Sequence, residues 1–242
     1  MKAVFSVLVF LACVLSGDLA SARLRRPIVP VPLSALYVPS GFDSDDNVQF
    51  VGEGYFPNAC FSPAPPEIHV DHSQKTITVN ARAYVYQGAC AQQTRPNVIL
   101  PFTVEFNVGP LPPGLYQIVQ GPMREFLGAV KITHAVRSNG NYFYAPVSEV
   151  TIQQLGAITE IWISGVLLGS CVQLASVETR VENNVIVIEP FAYVEPGNNC
   201  FRGYFPFAAV LRVRLPHGRY LLHVRAEDGN AINRMIDVTN IH

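Results

Sequence analysis

The chain is poor in charged residues and has almost no net charge. Only 14% of its 242 residues are charged, with 17 Lys and Arg against 18 Asp and Glu. Nucleic acid binding by counterion release needs a basic surface, and non-specific attraction of cations needs an acidic excess. Neither is present, so we expect no nucleic acid partner.

Long apolar runs are also missing after the N-terminus. No later segment reaches the roughly 18 to 20 apolar residues that a membrane-spanning helix needs. No window after residue 22 has a 3.6-residue period, so helices are not expected. Hydrophobic residues still make up 49% of the chain, which is enough to bury a sizeable core.

Residues 1–22 are typical of an export signal. Lys2 gives a positive start, Val4 to Leu15 form a short apolar core, and Ala20-Ser21-Ala22 provides a small-residue cleavage site. An alternative is a lipid anchor on Cys13, because Leu11-Ala12-Cys13 is similar to a bacterial lipobox. Both interpretations predict a secreted or periplasmic protein without a transmembrane segment.

One pattern occurs twice in the chain. The first occurrence reads, in order, Cys60, Ala83-Tyr84-Val85, Gly88, Cys90, Pro101-Phe102 and Leu111-Pro112-x-Gly114-x-Tyr116. The second reads Cys171, Ala192-Tyr193-Val194, Gly197, Cys200, Pro206-Phe207 and Leu215-Pro216-x-Gly218-x-Tyr220. The order is kept while the offset drifts from 111 to 104 residues. This pattern indicates one duplicated unit with small loop deletions.

The cysteines follow the same duplication. Apart from Cys13 there are four, which allow three pairings. Only the pairs Cys60 with Cys90 and Cys171 with Cys200 give both copies the same link. No Cys-x-x-Cys spacing suggests a zinc site. We predict two structural disulfides that join loops near strand ends, and no cofactor.

A proline-rich stretch covers residues 23–40. Pro27, Pro30, Pro32 and Pro39 remove backbone donors and fix backbone angles, which predicts an extended arm or linker. An arm of this kind could instead add a strand to the sheet edge of a neighbour.

The segment Asp43-Ser44-Asp45-Asp46-Asn47 begins like a calcium loop. Val48 and Gly54 stand where such a loop requires glycine and a bidentate glutamate. We interpret the segment as an acidic turn and predict no metal site.

Alternation with period two indicates strands throughout. Thr76 to Val79 and Phe102 to Val108 alternate in the first copy, and Phe207 to Leu215 alternates in the second. Hairpins are expected at Asp71 to Lys75 and at Asn183-Asn184, and a bulge next to Gly109-Pro110. The predicted fold class is all-β, with two tandem immunoglobulin-like antiparallel β-sandwich domains of about seven strands each.

The order of cysteine, hairpin, Gly-x-Cys, Pro-Phe strand and Leu-Pro-x-Gly-x-Tyr turn resembles small exported bacterial β-sandwich domains with a disulfide and no assigned role. The resemblance covers nearly all of both copies. It implies the fold and the disulfides, and it implies no catalytic residues. The expected domains are residues 41–135 and 147–242, with a linker at 136–146.

The segment Tyr142-Phe143-Tyr144 is the candidate contact site. Aromatic side chains near an interdomain groove can stack on sugar rings or anchor a partner protein. The alternative is that they pack between the domains or form the first strand of the second copy.

Catalytic residues are difficult to assemble from this sequence. His69, Asp71 and Ser73 supply the residue types of a triad, but neighbours along one strand point side by side and do not converge. We therefore expect a non-enzymatic binding or structural module that contacts an unknown protein of the cell envelope or extracellular space. A carbohydrate-binding module is the alternative, and a hydrolase is the third hypothesis.

Overall fold

The computed structural model describes residues 26–86, 99–135, 142–197 and 199–239. Within these ranges the chain is all-β, with one 3-10 turn at Glu227–Gly229 as its only helical element. Its alternating sequence segments therefore form strands, as predicted. No helix in the described ranges is long and apolar enough to cross a membrane. The expected export signal and Cys13 lie outside the described residues.

In the first half of the chain, the described residues 26–86 and 99–135 form nine strands. They are β1 (Ile28–Val31), β2 (Leu33–Tyr37), β3 (Phe42–Asp43), β4 (Val48–Phe56), β5 (Phe61–Asp71), β6 (Thr76–Val85), β7 (Leu100–Gly109), β8 (Gly114–Gln120) and β9 (Glu125–Thr133). Strands β2, β4 and β7 form one sheet, and the other six form a second sheet around β6. Side chains from both sheets share one core, in which Phe50, Phe106, Ile77 and Tyr116 are fully buried.

In the second half, the described residues 142–197 and 199–239 form eight strands. They are β10 (Tyr142–Tyr144), β11 (Val147–Leu155), β12 (Ile158–Leu168), β13 (Val172–Glu182), β14 (Val185–Val194), β15 (Tyr204–Arg214), β16 (Gly218–Arg225) and β17 (Ala231–Val238). Strands β11, β12 and β15 form a three-stranded sheet, and the others form a five-stranded sheet around β14. Ile161, Ile186 and Leu222 are at the centre of its core.

The two halves pair their strands in the same way. In the first half β6 pairs with β1, β5 and β8, and in the second half β14 pairs with β10, β13 and β16. The three-stranded sheets also correspond, because β2-β4-β7 has the same order as β11-β12-β15. Strand β3 has no counterpart, since the turn at 156–157 joins β11 directly to β12.

Three of the strand pairs formed by the described residues are parallel. They are β6 with β8, β14 with β16, and β3 with β9. The expectation of purely antiparallel sheets is wrong at these pairs, and the central pair of each half differs from an immunoglobulin sandwich, whose sheets are antiparallel. A parallel pair arises here because the chain crosses to the three-stranded sheet between the two strands, at β7 and at β15.

Both expected hairpins are confirmed. Strands β5 and β6 pair from Asp71 opposite Thr76, and β13 and β14 pair from Glu182 opposite Val185. The turn residues Asn183 and Asn184 both have positive φ, of 48° and 64°. Asparagine tolerates this left-handed conformation better than most residues, which is why the pair forms a two-residue hairpin turn.

Strands were found at two places where the sequence suggested connections. Strands β1 and β2 lie inside the proline-rich stretch 23–40, and they pair with β6 and β4 of the same chain. That stretch therefore belongs to the first half and is not a free arm. Strand β10 lies inside the expected linker 136–146 and pairs with β14. Prolines are compatible with β1 because it is an edge strand.

Cys171 and Cys200 form a disulfide with a Cα–Cα distance of 5.4 Å. Cys171 directly precedes β13, and Cys200 lies in the loop after β14, so the bond joins loops as expected. Cys60 is also disulfide-bonded. Its expected partner Cys90 lies outside the described residues. Disulfides are typical of proteins in a non-reducing compartment.

Candidate functional site

The outer face of the five-stranded sheet in the second half packs on the first half. Strand β14 carries an uninterrupted apolar run from Val185 to Ile188, and all four residues are buried. Ile186 and Ile188 point into their own core, whereas Val185 and Val187 pack against Val51 of β4. A strand covered on both faces is expected to be apolar at every position.

A buried arginine joins the two halves at one end of this contact. Arg225, the last residue of β16, is 3% exposed. Its guanidinium donates to acceptors from four separate segments: Ser40 O (3.0 Å), Gly41 O (3.0 Å), Asp46 Oδ2 (3.1 Å), the Tyr144 hydroxyl (2.8 Å) and Glu189 Oε1 (2.6 Å). We call Arg225, Asp46, Tyr144 and Glu189 the Arg225 cluster.

Burial dominates the electrostatics of this cluster. It raises the pKa of Asp46 and of Glu189, and the nearby Arg225 charge opposes the increase in both. Burial also raises the pKa of the Tyr144 hydroxyl. Arg180 adds a second cation, which donates to Glu189. Two carboxylates and two guanidinium groups therefore balance, as buried charges must.

A second arginine joins the halves at the opposite end. Arg219 donates to Glu53 Oε1 (2.7 Å) and to both carboxylate oxygens of Asp237 (2.7 and 2.6 Å). The Tyr37 hydroxyl donates to the other oxygen of Glu53. Burial, followed by the hydrogen bond to Glu53, raises the pKa of Tyr37 to about 12. Arg219 is 39% exposed, so we expect a weaker contribution than from Arg225.

A buried histidine lies between the two arginines. His223 Nδ1 is 2.8 Å from Asn233 Oδ1, and its ring meets Phe42 edge to face at 5.7 Å. Burial lowers the pKa of His223 to about 4, so the ring is neutral at pH 7. The adjacent cavity has a volume of about 10 Å³, room for one water molecule and too small for a substrate.

A large groove opens beside the Arg225 cluster. It has a volume of about 1080 Å³ and is lined from both halves. The aromatic wall is formed by Tyr142, Phe143, Tyr144 and Phe191. Tyr142 is 52% exposed and its ring centroid lies 4.9 Å from that of Tyr193. This size is suitable for a peptide segment or a short glycan.

Among the described residues that line the groove, carboxylates outnumber cations. Asp43, Asp45, Glu178 and Glu227 line it in addition to the cluster residues Asp46 and Glu189, whereas the basic lining residues are Arg180 and His134. Arg225 and Arg180 already pair with the cluster carboxylates. The remaining carboxylates are expected to make the potential negative at the described walls of the groove, although the whole chain is nearly neutral.

The predicted aromatic segment therefore divides into three environments. Tyr142 presents its ring to the groove, and Phe143 also packs against a small core of Ala145, Leu167 and Ala192. Tyr144 stacks on Phe191 at 5.3 Å and binds Arg225 through its hydroxyl. All three belong to β10, so the alternative of a first strand in the second half also holds.

Sequence reasoning missed the arginine contacts. Arg225 follows the buried residues Leu221 to Val224 on β16, and no pattern along the chain indicated that a charge there would be buried. Asp46 was found in the sequence only as part of an acidic turn. Its carboxylate does accept from Asp43 N (2.9 Å), which confirms the turn, but its contact with Arg225 depends on the packing of the two halves.

The structure places His69, Asp71 and Ser73 at an exposed hairpin end. Asp71 Oδ1 accepts from Ser73 N, from Ser73 Oγ and from Gln74 N, which are the bonds of a turn. These hydrogen bonds lower the pKa of Asp71, and the bond from the Ser73 hydroxyl has the largest effect. Across the described ranges, no group of three or more His, Cys, Asp or Glu side chains is arranged to hold a metal ion. The chain matches no family model, no curated protein and no solved structure.

Proposed function

We propose that the protein is an exported, non-enzymatic binding module of two tandem β-sandwich units, and that the groove between the units binds a segment of a partner protein. The observation that carries this proposal is the groove of about 1080 Å³, with an aromatic wall and a surplus of carboxylates. The disulfide and the signal-like residues 1–22 both favour a partner located in the cell envelope or the extracellular space.

The two units are proposed to be copies of one module of immunoglobulin-like size. The matching strand pairings support the duplication, and two glycines support it in detail. A Cβ on Gly54 would lie 2.6 Å from Pro32 O and 2.5 Å from the Phe102 ring. A Cβ on Gly165 would lie 2.0 Å from Pro146 O and 2.8 Å from the Phe207 ring. In both halves, therefore, a glycine allows the strand to lie close to a proline carbonyl oxygen and a phenylalanine ring.

The chemistry of the groove favours a basic partner segment. Lys or Arg side chains would meet the exposed carboxylates, and an apolar or aromatic side chain would pack on Tyr142. Such a contact would combine charge complementarity with an aromatic anchor, and these two features determine orientation and affinity in many peptide-binding sites. Electrostatic attraction between exposed groups is screened by salt, so binding is expected to weaken as ionic strength rises.

The test uses two fluorescein-labelled ten-residue peptides, one rich in Lys and Arg with a central Tyr, and one in which Glu replaces every basic residue. Only the basic peptide is expected to bind, as measured by fluorescence anisotropy. Tyr142→Ala should weaken binding about tenfold, which corresponds to about 1.4 kcal/mol. Asp45→Lys should weaken it about fivefold, since one exposed ion pair contributes about 1 kcal/mol at most.

The matched control is Tyr55→Ala, because Tyr55 is 57% exposed on β4 and does not line the groove. It should leave the affinity unchanged. Equal binding of both peptides, or no binding at millimolar concentration, would contradict the proposal.

A second candidate function is carbohydrate binding. The adjacent rings of Tyr142 and Tyr193 favour it, because an exposed aromatic surface can stack on a sugar ring. A glycan array separates the two functions. Binding to a defined glycan that Tyr142→Ala abolishes, without binding of the basic peptide, would select the carbohydrate function.

A further inference from the structure

Two strands of the three-stranded sheet in the second half, β12 and β15, carry apolar residues on the outer face of the sheet, whereas β11 carries Glu149, Thr151 and Gln153 there. The residues on β12 and β15 are cross-strand neighbours: Trp162 opposite Val210, Ser164 opposite Ala208, Val166 opposite Pro206, and Leu168 opposite Tyr204. All except Ser164 are exposed, and Trp162, the single tryptophan of the chain, is 45% exposed. We call this surface the Trp162 face. A solvated sheet face is normally polar, and contiguous apolar patches often mark interaction sites.

The corresponding face of the first half is not exposed. Gly54 pairs with Phe102 and Gly165 pairs with Phe207, so these glycines align the two halves. Three residues before each glycine stand Val51 and Trp162. Val51 is buried in the contact between the halves, packed on Val187 and Leu221. Trp162 therefore occupies the position that forms the interdomain contact in the first half.

The face of the second half that packs on Val51 also has a counterpart in the first half, and this counterpart is exposed. The parallel pair β14–β16 begins with Val185 opposite Leu221, and the pair β6–β8 begins with Thr76 opposite Gln117. Gln117 thus corresponds to Leu221. On the same outer face Leu115 is exposed, as are two residues of β9, Phe126 and Ala129. We call Leu115, Gln117, Phe126 and Ala129 the Gln117 face.

The ion pair between Arg219 and Glu53 in the interdomain contact has no counterpart on the two exposed faces. In the interdomain contact, Arg219 pairs with Glu53. The same alignments place Leu115 at the position of Arg219 and Ser164 at the position of Glu53. If these faces met, neither of these two positions would bury a charge without its partner, which is costly at an interface. Other charged groups do lie on the two faces: Glu149 opposite Ser164, Lys131 opposite Leu115, and Arg124, which donates to Thr76 beside Gln117.

The Arg225 contact follows the same rule. Arg225 corresponds to Gly121, which directly follows β8. Its acceptor Asp46 lies in the segment between β3 and β4, and the second half replaces this segment with the turn at 156–157. The side-chain sizes are also complementary. Trp162 on one face is larger than its counterpart Val51, and Ala129 on the other face is smaller than its counterpart Met235.

We propose that the Trp162 face of one copy docks on the Gln117 face of a second copy, which repeats between chains the contact that joins the two halves within one chain. Because the two faces differ, the contact is heterologous and each added copy leaves one face of each kind open. The expected product is a head-to-tail chain of copies and not a closed dimer.

The experiment measures self-association by analytical ultracentrifugation over increasing protein concentration. The mass should rise continuously, and the emission of Trp162 should shift to shorter wavelength as its ring is covered. Val210→Asp keeps the tryptophan and places a charge opposite it, so it should weaken association at least 30-fold, the loss of one hot-spot residue. Leu115→Asp should weaken it as strongly, and Tyr55→Asp, which alters neither face, should have no effect.

Mixing the two defective variants decides the geometry. Val210→Asp retains the Gln117 face and Leu115→Asp retains the Trp162 face, so the mixture should form a 1:1 complex and nothing larger. Circular dichroism and thermal unfolding would verify that each variant is folded. A wild-type protein that stays monomeric at high concentration overturns the proposal. A dimer that survives Leu115→Asp but not Val210→Asp also overturns it, because two Trp162 faces would then pair with each other.

Discussion

The Arg225 cluster offers the most direct test of how the two halves are held together. Replacing Arg225 with methionine keeps most of the side-chain length and removes the charge. It leaves the carboxylates of Asp46 and Glu189 buried, and it leaves Ser40 O and Gly41 O without their donor. Removing one partner of a buried ion pair costs about 3 to 5 kcal/mol.

Two features determine where the cost falls in this range. Arg180 still neutralises Glu189, which lowers the cost, whereas Asp46 has no second ion-pair partner among the described residues, which raises it. We therefore expect about 4 kcal/mol. Arg219→Met is the matched control, because Arg219 also joins the halves but is 39% exposed, and we expect about 1 kcal/mol from it.

The assay is urea unfolding followed by the emission of Trp162. With a slope of about 2 kcal/mol per molar urea, a loss of about 4 kcal/mol lowers the midpoint by about 2 M. Adding Asp46→Asn to Arg225→Met should recover most of the lost stability, because Glu189 keeps Arg180 as its partner and no uncompensated charge then remains. Equal effects of Arg225→Met and Arg219→Met, or no recovery in the double variant, would refute the role assigned to buried charge.

Two further predictions concern the glycines and the buried histidine. Gly165→Ala and Gly54→Ala should each destabilise the protein by about 2 to 3 kcal/mol, because their methyl groups would overlap a backbone oxygen, whereas at Gly128 the nearest atoms are 3.8 Å away and alanine should be tolerated in thermal unfolding. Loss of stability at all three, or at none, would contradict this. The pKa of His223 is about 4 in the folded state against 6.5 when unfolded, so the unfolded chain takes up the proton at a higher pH than the folded protein does. The free energy of unfolding is therefore expected to fall by about 3 kcal/mol as the pH is lowered from above 6.5 to 4. The difference in unfolding free energy between the wild type and His223→Gln, measured as a function of pH, should show this slope, because the contributions of the other titrating groups cancel in the difference. A difference that does not vary with pH would contradict the prediction.

Much of the fold could be predicted because local signals determine it. The period-two alternation located the strands, and Asn183-Asn184 marked a hairpin turn by the backbone angles that asparagine accepts. The predicted bulge is also present close to its expected place, since the register of β4 and β7 shifts between Asn107 and Gly109. Each of these features depends on neighbouring residues alone.

The missed features depend on residues that are distant in sequence. Proline content suggested an arm at residues 23–40, but the free edges of β6 and β4 accept β1 and β2 there. The Arg225 cluster needs residues 46 and 225 to meet, which are 179 positions apart. The parallel pairs were missed for the same reason, because a parallel neighbour is reached through a crossover and carries no turn signal.

The groove and the interdomain contact share side chains, and this links stability to binding. Asp46, Tyr144 and Glu189 belong to the Arg225 cluster and also line the groove. The positions of the groove walls are thus fixed by the same bonds that hold the halves together. A site that is ordered before its ligand arrives loses less conformational entropy on binding. It follows that Arg225→Met should weaken binding of the basic peptide although Arg225 itself does not line the groove, and that Arg219→Met, at the far end of the contact, should leave that binding unchanged.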